Sequence, residues 1–115
     1  MDLSQLKQFI TEHAEEFRLE PEPDLDHLED YFVTDYGFAA GKDGFVEYLY
    51  VYPKWRGRGL TRELLHKARE RWGKEKLLSL RCHPDLVELY ELLGFRLEEG
   101  PKSEWGGFVE MTEVE

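Results

Sequence analysis

The sequence predicts an α/β (α+β) domain in which a mixed central sheet of about six strands packs against three main helices. Three observations lead there. An apolar strand runs through a glycine turn into an amphipathic helix over residues 46–72. A further strand follows that helix, and strand, helix and strand in one sheet require a right-handed parallel crossover. Finally, 115 residues are enough for one core and too few for two, so residues 1–115 are read as a single domain.

Taken in order, the chain opens with a helix that Ser4 can cap, its apolar positions Leu6, Phe9, Ile10, Ala14 and Phe17 keeping a 3.6-residue period. Glu20-Pro21-Glu22-Pro23 breaks that pattern, and the acidic residues through Asp30 read as a solvated connection. Residues 31–35 and 37–40 are short apolar runs with a tight turn near Asp35-Tyr36, and residues 41–44 form a second turn. Residues 46–52, with three tyrosines, two valines and a leucine, have the composition of a buried strand, which Pro53 ends. These three strands form an antiparallel meander.

Leu60, Leu64, Leu65, Ala68 and Trp72 then recur at helical spacing until Gly73 stops the helix. Residues 77–82 alternate apolar and polar in strand fashion. His83-Pro84-Asp85 opens a last helix carrying Leu86, Val87, Leu89, Tyr90, Leu92 and Leu93, and Gly94 closes it. Residues 95–97 and 107–112 supply two closing strands.

Composition narrows the function. The formal charge of −10 argues against nucleic acid, whose binding rests on neutralising phosphates with lysine and arginine, and fits cationic substrates or partners better. The same acidity also serves solubility. No apolar run approaches the roughly 18 residues of a membrane-spanning helix, and the N-terminus has no signal-like segment, so a soluble cytoplasmic protein is the expectation, with no membrane partner. One cysteine, Cys82, allows no intrachain disulfide, and the four scattered histidines make no zinc-type spacing, so no metal is expected.

The turn between residues 52 and 60 has the parts of a phosphate site. Gly57 and Gly59 carry no side chains to hold an anion away, and the first N–H groups of the following helix lack intrahelical partners. The helix dipole favours negative charge there, and Arg56, Arg58 and Arg62 reinforce it. Gly-x-Gly at such a turn equally serves backbone freedom alone. A P-loop and a dinucleotide fingerprint are both absent, the first for want of Gly-Lys-Ser/Thr and the second for want of a third glycine.

Leu49-Tyr50-Val51-x-Pro53-x-x-Arg56-Gly57-Arg58-Gly59-Leu60-Thr61 resembles the acetyl-CoA-binding motif of the GNAT superfamily of N-acetyltransferases, with Thr61 where that family usually has glycine or alanine. A second block, from His83 through Tyr90 to Gly94-Phe95, resembles the family pattern ending in Leu-Tyr-Glu-x-Leu-Gly-Phe, with His83 in place of an asparagine and Leu86 in place of a small residue. The resemblance runs from about Tyr31 to Thr112. It differs at the front, where one helix and an acidic linker stand for the family's first strand and two helices. A reduced acceptor-site wall and a homodimer that completes it are the corresponding expectations.

The resemblance implies the GNAT fold and an N-acetyltransferase moving an acetyl group from acetyl-CoA to a primary amine of a small molecule, protein or peptide, by direct attack in a ternary complex. A noncatalytic CoA-binding or protein-interaction module is the alternative. By the same resemblance Leu49, Tyr50, Val51, Arg56, Gly57, Arg58, Gly59, Leu60, Thr61, Arg62 and His83 bind the cosubstrate, Tyr90 protonates the departing thiolate, and Glu47 acts as a base through water. A lysine-like amine has a pKa near 10.4, so holding it neutral at pH 7 costs about 4–5 kcal/mol, which a nearby carboxylate or an apolar pocket must offset. His83 is the alternative base. Cys82 reads as a buried structural thiol, and Trp55, Trp72 and Trp105 most simply as packing or surface-anchor residues, with Trp55 beside the adenine or ribose as the alternative.

Overall fold

In the computed structural model, which describes Met1–Glu115, the apolar runs form six strands: β1 (Asp30–Val33), β2 (Gly37–Lys42), β3 (Phe45–Val51), β4 (Ser79–Cys82), β5 (Phe95–Glu99) and β6 (Val109–Glu113). They make one sheet in the order β1-β2-β3-β4-β6-β5, parallel between β3 and β4 and antiparallel elsewhere. Helices α1 (Leu3–Glu12), α2 (Leu60–Trp72) and α3 (Val87–Leu92) complete the expected α+β architecture.

The sheet divides two cores. Ala39 and Val46 pack with Leu65, Ala68 and Trp72 of α2, whereas Phe38, Ala40 and Tyr50 pack with Leu6 and Ile10 of α1. Because alternate residues of β2 serve opposite faces, Gly37 to Gly41 are all buried, and this strand reads as a continuous apolar run. Each fully buried aliphatic side chain stabilises the fold by roughly 1.5–3 kcal/mol.

Several boundaries differ from the sequence reading, each for a local reason. Asp2, not Ser4, caps α1: its carboxylate accepts from Gln5 N at 2.8 Å while the Gln5 side chain accepts from Asp2 N, a capping box. The helix ends at Glu12, where His13 Nδ1 meets Phe9 O at 2.9 Å, so Ala14 and Phe17 reach the core from a turn. Gly41 and Lys42 belong to β2, and a three-residue 3₁₀ turn, Pro84–Leu86, takes the first part of the expected last helix.

Asp30 is not solvated connection but the first residue of β1. It accepts from Arg71 and, at 2.6 Å, from Trp72 Nε1, pinning the end of α2 to the edge of the sheet. The Arg71 hydrogen bonds, with Trp72 adding to them, hold its carboxyl below the usual value.

Glu113, one residue past the expected end of the last strand, is the buried acid of the core at 4% exposed. Its Oε1 accepts from Leu78 N at 2.7 Å and its Oε2 pairs with Arg69, tying β6 to α2 and to the approach to β4. Glu113→Ala leaves a buried N–H without a partner and is expected to cost about 1–3 kcal/mol, read as a lower urea midpoint at unchanged m-value.

Candidate active site

The site begins with an irregularity in β3. Ala40 pairs with Tyr48 but the next β2 residue, Gly41, pairs with Val46, so Glu47 is the extra residue of a β-bulge. Gly41 permits this, because a Cβ there would lie 2.4 Å from Phe45 O and against the Trp72 ring. A bulge bends its strand, and the ladder to β4 carries only Phe45↔Ser79 and Val46↔Leu80. Beyond that point β3 and β4 part, and a cavity of about 720 Å³ opens between them.

Glu47 and Tyr90 both line this cavity. The Glu47 side chain is 8% exposed, with Oε2 2.8 Å from His27 Nε2 and Oε1 3.9 Å from Lys42 Nζ. Despite the short distance to His27, Oε2 has no aligned hydrogen-bond donor. Tyr90 packs edge-on against Phe95 at 5.9 Å between ring centres. Burial, with the neighbouring Cys82 adding, pushes its phenol up to about 12. The phenol therefore stays protonated across the neutral range.

Cys82, on the wall of the same cavity, is buried, and its thiol is pushed up to about 11 by desolvation. Its thiol contacts Met111 Sδ at 3.7 Å, an environment that makes a structural thiol rather than a nucleophile. His83 also lines the cavity, but its Nδ1 accepts from Asp85 N at 3.2 Å and so caps the 3₁₀ turn before α3.

The glycine turn forms a separate feature at the far end of β3. Gly57 and Gly59 have φ of +80° and +74°, a region that favours glycine, and a Cβ at either would meet nothing within 4 Å. Gly59 is the N-cap of α2 and offers no side chain, so open space lies over the helix N-terminus. The cradle therefore fits a phosphate group: free volume, positive helix end and nearby guanidinium groups. Leu60 and Thr61 begin the helix and are half-buried.

The arginines divide their tasks. Arg58 stacks over the Trp55 ring at 5.2 Å, and Arg62 reaches Leu92 O at 3.5 Å. Arg56 donates from Nε to Val51 O at 2.9 Å, lies over the Tyr50 ring and contacts Glu16 at 3.4 Å. Tyr50 itself points into the α1 core and donates to Glu16 at 2.7 Å, so only its backbone faces the parting strands. Val51 is buried, and Leu49 lines the cavity.

One helix, without a strand or second helix, precedes the sheet as expected, yet the connection after it lines the cavity. The turn after α1, Glu16 to Glu20, closes one side of the cavity together with His27, and the Trp105–Gly106 stretch closes another. His27 was missed because its partner lies 20 residues away across the sheet, with no periodic or motif signal between them.

The geometry can be set beside known proteins. Residues 27–97 match a family model described as acetyltransferase (GNAT) domain. No curated protein matches the sequence. Among solved structures, ElaA of Escherichia coli is 19% identical, with a TM-score of 0.68 over 99% of this chain and 93% of its own. A Lactobacillus plantarum protein assigned as an N-acetyltransferase is 18% identical, with a TM-score of 0.66 over 97% and 90%. A nourseothricin acetyltransferase is 24% identical, with a TM-score of 0.54 over 67% of this chain and 56% of its own. At these identities the structural likeness speaks for the fold, while the family match spans Glu47, the glycine turn and Tyr90.

Proposed function

The chain belongs to the acetyltransferase (GNAT) domain family, and from that premise we propose that it transfers an acetyl group from acetyl-CoA to a primary amine of a small molecule, protein or peptide. One observation carries this reading: Glu47 and Tyr90, the groups suited to handle the two protons of the reaction, line one cavity where β3 and β4 part.

The cosubstrate's pyrophosphate is assigned to the glycine turn, held by the α2 N-terminus with Arg58 and Arg62 nearby. Arg56 serves partly as a clamp, since its Nε is spent on Val51 O. The pantetheine arm runs between the parting strands along Leu49 and Val51, and His83 contributes a wall of the cavity.

The acceptor arrives as an ammonium ion, drawn by the acidic shell and by carboxylates of the cavity such as Glu20 and Glu104. Glu47 takes its proton through water, and the freed lone pair attacks the thioester carbonyl. The C–N bond forms as the C–S bond breaks. Tyr90 protonates the departing sulfur, and the second proton lost by the nitrogen returns to the phenolate through water, so the products are the amide and the free thiol. Burial keeps the Tyr90 phenol protonated, so its proton is in place for the departing sulfur.

The test is amine-dependent release of free thiol from acetyl-CoA, with the acetylated product identified by mass. Glu47→Gln is expected to lower kcat about 100-fold with little change in the acetyl-CoA KM. Cosubstrate binding without thiol release from any polyamine, aminoglycoside or peptide would favour the noncatalytic module. The chain supplies its own cavity wall, so a homodimer, if formed through the terminal strands β1 or β5, is an assembly feature rather than a requirement of the site.

A further inference from the structure

We infer that His27 is the outlet for the proton that Glu47 removes from the acceptor, a positioning and relay role that rests on the transferase reading above. The Glu47 carboxylate is nearly enclosed, so a proton collected there needs a way out at every turnover. His27 Nε2 is 2.8 Å from its Oε2, while the His27 side chain is 52% exposed. One ring thus spans the distance from the enclosed carboxylate to solvent. Imidazole also carries two ring nitrogens, so that one can take up a proton while the other releases one.

The other groups around Glu47 do not fit this role. Lys42, 3.9 Å from Oε1, is an ammonium with no acceptor site. Tyr48 precedes the cavity's Leu49 on β3, and burial, with Glu47 adding, raises its phenol above the ordinary value, so it stays protonated. On the opposite wall Arg81 is paired with Glu110 at 3.4 Å. From the turn after α1, Arg18 lies 4.0 Å from Asp85, and Glu16 is held by Tyr50 and Arg56. Oε2 is buried and has no donor aligned on it, so Nε2 at 2.8 Å stands toward it as a proton acceptor.

The steps balance. A proton leaves the acceptor ammonium for the Glu47 carboxylate through one water molecule, the neutral acid passes a proton from Oε2 to His27 Nε2, and the imidazolium releases one to bulk water. Glu47 returns to a carboxylate and His27 to the neutral ring. The net change is one proton moved from amine to solvent.

The experiment uses the full chain with acetyl-CoA and, as probe amines, spermidine, kanamycin and a peptide with a free N-terminus, followed by thiol release. In His27→Gln and His27→Ala, kcat is expected to fall about tenfold at pH 7 with the acetyl-CoA KM within about twofold. Added imidazole should restore most of kcat in His27→Ala and leave the wild type unchanged. Unaltered kcat in both variants, or a loss that imidazole does not repair, overturns the relay and leaves the transferase standing. A wild type that binds acetyl-CoA but acetylates no probe overturns both.

Discussion

Gly59→Glu is expected to weaken acetyl-CoA binding at least about 100-fold, a loss of roughly 3 kcal/mol or more. The substitution acts twice. It puts a carboxylate into the open space over the α2 N-terminus, where the cosubstrate's phosphates are assigned, and it puts a non-glycine residue at φ +74°. The backbone penalty alone is about 1–2 kcal/mol, and it can fall on stability rather than on binding. Gly59→Ala separates the effects, because it carries the same backbone penalty without the charge. Calorimetric titration should therefore show a modest loss for alanine and no measurable heat for glutamate. Equal affinities for glutamate and alanine would mean that the phosphates sit elsewhere.

The second large effect belongs to Tyr90. Tyr90→Phe keeps the ring against Phe95 and removes only the hydroxyl, so folding should change little. Turnover is expected to fall about 100-fold with CoA affinity nearly unchanged, as follows when a group acts mainly in the transition state. Because the phenol value is about 12, this contribution should be constant from pH 6 to 9: a group that stays protonated over that range adds no limb to the rate profile. A basic limb of kcat that disappears in Tyr90→Phe would contradict this, as would unchanged turnover under conditions where chemistry limits the rate.

Much of this was legible in the chain because local physics dictated it. The 60–72 helix was readable to the residue, since its apolar stripe starts after Gly59 and stops at Gly73. The parallel crossover followed from the order of strand, helix and strand. The glycine turn was visible because two glycines one residue apart mark left-handed backbone, and both have positive φ.

What escaped depends on partners distant in sequence. Asp30 and Glu113 look like ordinary surface acids, and only Arg71, Trp72, Arg69 and Leu78 N make them structural. Glu47 was legible as a candidate base only through the family resemblance, because the bulge that encloses it arises from the pairing register with Gly41. The α1 cap shifted from Ser4 to Asp2 because the capping box needs Gln5 at the third helical position, which Asp2 supplies and Ser4 does not. The cavity wall after α1 was hidden because a short turn with Arg18 in the left-handed region carries no periodic signal.

The most direct test of the central claim is titration calorimetry of the wild-type chain with acetyl-CoA and with CoA, because donor, mechanism and relay all rest on that binding. Saturable micromolar binding of both, lost in Gly59→Glu, is the result expected. A wild-type protein that takes up neither ligand at millimolar concentration would contradict the account and leave only a protein-interaction role for the fold.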